Sequence, residues 1–119
     1  MNATIALLAA KNIVRISEAQ SALAILKLDA GPERWVVAST LDSSRALTFH
    51  LRLSMAETST PAPFSKSEAE DMAILINDAP GPFELLEDEV CTAMPAIEWW
   101  EKRLAEYEEA DKQFTAIGL

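Results

Sequence analysis

The chain has 119 residues, half of them apolar, with a formal net charge of −9, one cysteine and one histidine. That length predicts a single domain over 1–119 with one core, able to fold without a disulfide, metal or cofactor as a staple. The lone Cys91 argues against a disulfide-rich secreted class, and Lys11, Arg15 and Lys27 interrupt the most apolar stretch well short of the ~20 residues a membrane span needs.

From Asn2 to Leu28 there is neither Gly nor Pro, and Ala, Leu, Glu, Gln and Lys dominate, which predicts helix over about 3–11 and 18–29, as one element or two. Ser17 followed by Gln20 has the spacing of a capping box, and Gly31–Pro32 supplies a stop. Trp35, Val36 and Val37 centre a β-forming run, and Leu47, Phe49, Leu51, Leu53 and Met55 alternate with polar neighbours. Period-two alternation puts one set on a buried face, so 33–40 and 45–55 read as an antiparallel hairpin or part of a small sheet. Because a bare hairpin is marginal in water, helices must cover it.

Ser65 with Glu68 forms another capping box, opening a helix to about Asp78 with Met72, Leu75 and Ile76 facing inward. Pro80-Gly81-Pro82 ends it. Phe83, Leu86, Val90 and Met94 recur at helical intervals and predict a short helix, followed by a final one over about 96–114. Ile97, Trp100, Leu104, Tyr107 and Phe114 make its inward stripe, while Trp99 lies about 100° round the axis, either widening that stripe or meeting a partner. The fold class is therefore α+β: mainly helical, with a small antiparallel sheet covered by the N- and C-terminal helices.

No catalytic, cofactor-binding or metal-binding constellation emerges. His50 sits on the polar face of a strand, Cys91 falls in an apolar pattern, and neither belongs to a nucleophile signature. One His and one Cys cannot build an ordinary zinc site, and Glu84, Glu87, Asp88 and Glu89 lack the alternation and central glycine of a calcium loop. Three scattered glycines offer no phosphate cradle. The expectation is a non-enzymatic protein without a cofactor.

Residues 1–56 hold six Lys/Arg against four acids, whereas 57–119 hold four against fifteen. Such a field repels nucleic-acid phosphates and anionic lipid and attracts cations, so the expected partner is another, basic protein, not nucleic acid or membrane. The first expectation is an inhibitor of a basic nucleic-acid-processing complex, of the anti-defence, immunity or antitoxin type found on phages and other mobile elements, with carboxylates mimicking phosphates. Its partner-binding residues would be Glu84, Glu87, Asp88, Glu89, Glu98, Trp99, Glu101, Tyr107 and Glu108. The alternative is a homodimeric adaptor or effector-specific chaperone, pairing through the final helix or the hairpin edge and taking an apolar client segment. A small enzyme is the third. The run Ile5–Ala10 has no basic stretch before it and no clean cleavage site after it, so the expected location is cytoplasmic.

Overall fold

A computed structural model describes residues 3–118. The elements are α1 (Ala3–Leu28), β1 (Trp35–Ser39), β2 (Arg45–Phe49), β3 (Leu53–Glu57), α2 (Lys66–Asp78), a short 3-10 turn (Gly81–Phe83), β4 (Cys91–Pro95) and α3 (Ala96–Ala116). The strands form one antiparallel sheet in the order β3-β2-β1-β4. Helices α1 and α3 cover one face and α2 the other, an α+β fold of three layers.

Alternation along β1 feeds both layers. Val36 and Ala38 join Ala46, Ala19, Leu23, Trp99 and Trp100 in the α1/α3 layer, while Val37 joins Leu47, Met55, Ala69, Ala73 and Ile76 under α2. Both faces of the sheet are thus buried.

The N-terminal stretch is one helix, and Ser17 opens nothing because the residues before it already continue the turn. The capping box at Ser65 does form: Ser65 Oγ accepts from Glu68 N at 3.2 Å, and Glu68 Oε1 accepts from Ser65 N at 2.9 Å. Inside α2 the buried stripe is Ala69, Ala73 and Ile76, with Met72 half-buried, and Leu75 turns to the surface.

Two segments depart from expectation. The run 45–55 is two strands, with the chain reversing at His50-Leu51-Arg52 and Leu51 left 89% exposed. The helix expected around Phe83–Met94 is instead the 3-10 turn, an irregular loop and β4, which pairs along β1 from Trp35↔Pro95 to Ser39↔Cys91. Glu84 and Asp88 take positive φ, 59° and 63°, which a continuing helix does not permit.

β1 and β2 pair only at Ala38↔Ala46 and then part. The segment after β3 fills the split: Ala62 N donates to Leu47 O at 2.9 Å, and Trp35 and Phe64 exchange both backbone hydrogen bonds at 2.8 and 2.9 Å. This stitched segment becomes one wall of the groove described next.

The radius of gyration is 15.8 Å, with extents of 47 × 37 × 23 Å, against about 13.5 Å expected for a compact chain of this length. A 26-residue helix whose buried positions begin only at Asn12 accounts for the elongation.

Candidate functional site

The nine residues expected to meet a partner do not form one surface. Trp99 is 2% exposed and belongs to the core. Its 100° offset from Trp100 is absorbed because α3 lies in the angle between the sheet and α1, and the two rings meet edge to face at 4.9 Å. Glu89 is also removed from the surface. Its Oε2 accepts from Ser39 Oγ at 2.7 Å and Arg45 Nε at 2.8 Å, and its Oε1 accepts from Arg45 Nη2 and Leu86 N, both at 3.1 Å. Burial alone would raise the Glu89 carboxyl, but the hydrogen bonds from Arg45, Ser39 and Leu86 outweigh it and hold the group below its ordinary value.

Of the rest, Glu84 pairs with Arg52, Glu98 with Lys102 and Glu101 with Lys27. Such exposed pairs are weak, yet each sets a cation beside the carboxylate meant for a cationic partner. Tyr107 is half-buried against Arg103. Glu87, Asp88 and Glu108 stay exposed without an ion pair among the described residues, the first two in the loop before β4 and the third on α3.

The candidate nucleophile and base are not brought together. Cys91 lies at the Ser39 end of the sheet, buried with its Sγ 3.6 Å from Met55 Sδ, and burial pushes the thiol up to about 11. His50 is exposed in the β2–β3 turn, at the opposite end and two strands away. Among the described residues no three His, Cys, Asp or Glu side chains gather to hold a metal ion.

What the structure does assemble is a groove along one flank of α1, walled by residues 57–63 and floored by α3. It has two halves that meet at Ser59. The first, about 550 Å³, is mixed in character and carries Lys11, Arg15, Arg103 and Tyr107 beside Val14. The second, about 380 Å³, is mainly apolar and is lined by Ile25, Leu26, Val36, Pro61, Pro63 and Trp100.

Arg103 is the unusual member. It is 7% exposed, and its guanidinium carbon stands 5.3 Å from the Trp99 ring and 4.9 Å from the Tyr107 ring. It donates to the Tyr107 hydroxyl, and among the described residues its buried Nε has no hydrogen-bond partner and no carboxylate lies within ion-pair distance, Asp42 feeling its charge only from farther away. Cation–π contacts soften the burial of a charge without replacing a counter-ion. Lys11 and Arg15 likewise have no ion pair among the described residues. Against these three cations the first half holds Glu18 and Glu57, so it carries a small positive excess in an acidic protein.

Sequence reasoning missed this groove because its parts come from three distant segments. The available signal was small: Lys11 and Arg15 one turn apart on α1, and a single arginine inside the otherwise acidic α3. No protein-family model, curated protein or solved structure matches the chain. Among the described residues no helix is long and apolar enough to cross a membrane.

Proposed function

We propose that this domain is a non-enzymatic adaptor, of the chaperone-like kind, that holds a short segment of a client protein in the groove between α1 and residues 57–63. The observation that carries this reading is that a cationic pocket and an apolar pocket adjoin at Ser59 along one flank of α1. A segment with apolar side chains at one end and a carboxylate at the other matches both, the carboxylate facing Lys11, Arg15 and Arg103. Burial of two or three aliphatic or aromatic side chains would supply most of the affinity, at about 1.5–3 kcal/mol each. The charged end would fix direction and speed encounter.

The acidic-inhibitor reading is less well supported. It needs a contiguous, unpaired acidic face with an aromatic anchor, and Trp99 and Glu89 are both internal. The acidic α3 surface serves the adaptor reading differently, by repelling acidic segments everywhere except at the groove.

Selection of a random peptide library on the immobilised domain tests the proposal. Enriched sequences are expected to combine an apolar run with Asp or Glu at one end. Their binding should fall in Ile25→Asp, a change at an exposed position that leaves the core intact. Enrichment of basic sequences, or retention unaffected by Ile25→Asp, would overturn it in favour of the acidic surface.

A further inference from the structure

The face of α1 opposite the groove's floor carries a pattern that one chain leaves unused. Positions 7, 14, 21 and 28 are Leu, Val, Ser and Leu; positions 3, 10, 17 and 24 are Ala, Ala, Ser and Ala; all eight are exposed. Alternating steps of three and four make this a heptad strip, lying half a turn round the helix from the buried Asn12, Ala19 and Leu23. Leu7 and Val14 are each 55% exposed and Leu28 is 85% exposed. A helix apolar on two opposite sides is ordinarily covered on both.

We propose that a second copy of this chain covers the strip, α1 packing antiparallel against α1. In antiparallel register the three large residues each meet a small one, Leu7 facing Ala24 of the second copy, Val14 facing Ser17 and Leu28 facing Ala3, while Ser21 faces Ala10. A parallel pair would stack large on large and small on small, leaving gaps between the helices. Charge favours the same arrangement. Lys11 of each copy falls beside Glu18 of the other, and α1 carries Lys11, Arg15 and Lys27 against Glu18 alone, so two copies of a −9 chain repel least there. The apolar side of the final helix is engaged with its own sheet and α1.

The helix is about 39 Å long and presents a strip roughly 10 Å wide. That footprint, about 780 Å² for two copies, lies below the ~1,200 Å² of standard specific interfaces and makes this a weak, reversible dimer. The inference goes beyond the client-binding reading, although Val14 of the strip and Lys11 and Glu18 beside it also line the cationic half of the groove.

Sedimentation velocity on the full chain across the micromolar range tests it. A reversible monomer–dimer equilibrium is expected, weakened more than about tenfold by Leu7→Glu with Leu28→Glu, while circular dichroism and the melting temperature of the monomer hold because both positions are exposed. Lys11→Glu and Glu18→Lys should each weaken the dimer, and the double reversal should restore it. Cysteines at positions 10 and 21 together should cross-link two copies on oxidation, whereas either alone should not. A chain that stays monomeric throughout that range, a dimer indifferent to Leu7→Glu with Leu28→Glu, or efficient cross-linking by the position-10 cysteine alone would overturn the proposal. Neither Leu7 nor Leu28 lines the groove, so failure of the dimer test at those positions leaves peptide capture by a monomer intact.

Discussion

The two faces of the sheet handle buried polarity in opposite ways. Under α2 the packing is aliphatic, and the charge at its margin, Glu89, has a hydrogen-bond partner on both carboxylate oxygens. Between the sheet, α3 and α1 two tryptophans dominate the packing, and the charge within it, Arg103, has two ring faces and no ion pair among the described residues, where Trp99 Nε1 also lacks a partner. A saturated layer contributes stability and little else. An unsaturated one holds unspent interactions, which is what a binding site needs before its ligand arrives.

The largest expected effect breaks the saturated side. Glu89→Ala leaves the half-buried Arg45 without its main carboxylate partner and should cost about 3–5 kcal/mol, toward the low end, in chemical denaturation. Next, Ile76→Ala, at a fully buried position under α2, should cost about 2–5 kcal/mol. Asn12→Ala removes the 2.8 Å bond from Nδ2 to Tyr107 O that ties α1 to α3, and should cost about 1–3 kcal/mol.

Acid sharpens the same contrast. Glu89 is held below its ordinary value in the fold, so its contribution is complete above the ordinary carboxylate range and is lost as pH falls through the depressed value. Stability followed from neutral pH downward should therefore drop on the acid side, and Glu89→Gln should flatten that slope. The smallest expected effect on stability is the most telling. Arg103→Met replaces an uncompensated buried charge with an apolar side chain and should leave the melting temperature equal or higher, yet it should weaken capture of acidic-ended peptides. A loss of several degrees would mean that Arg103 is structural and would close the gap between the two faces.

How much of this was legible depends on how local each signal is. α2 could be read because its capping box is complete within four residues. The single strand expected over 45–55 failed for a geometric reason. In the β2–β3 hairpin Leu47 faces Met55 and Phe49 faces Leu53, pairs whose members are an even number of residues apart. Alternation therefore runs through the turn unbroken, and His50-Leu51-Arg52 contains none of the usual turn formers. β4 was hidden by helical spacing between Phe83 and Met94, and the left-handed residues that undo it, Glu84 and Asp88, are not glycines. The groove was illegible because charge counting along the chain assigns Arg103 to an acidic helix and cannot know that it points inward. The heptad strip on α1, by contrast, lay in plain view in the sequence and was overlooked because the same residues also satisfy a simple helix propensity.

The segment between β3 and α2 is a connection by length but a rung by bonding. Connections of this sort ordinarily tolerate insertion and cleavage. Here Ala62 and Phe64 satisfy backbone groups of Leu47 and Trp35 that no neighbouring strand reaches. Removing one residue would not merely tighten a tether: it would shift every bond along the seam by one place, set Pro61 or Pro63, which have no N–H, against a waiting carbonyl, and let the first two strands come apart.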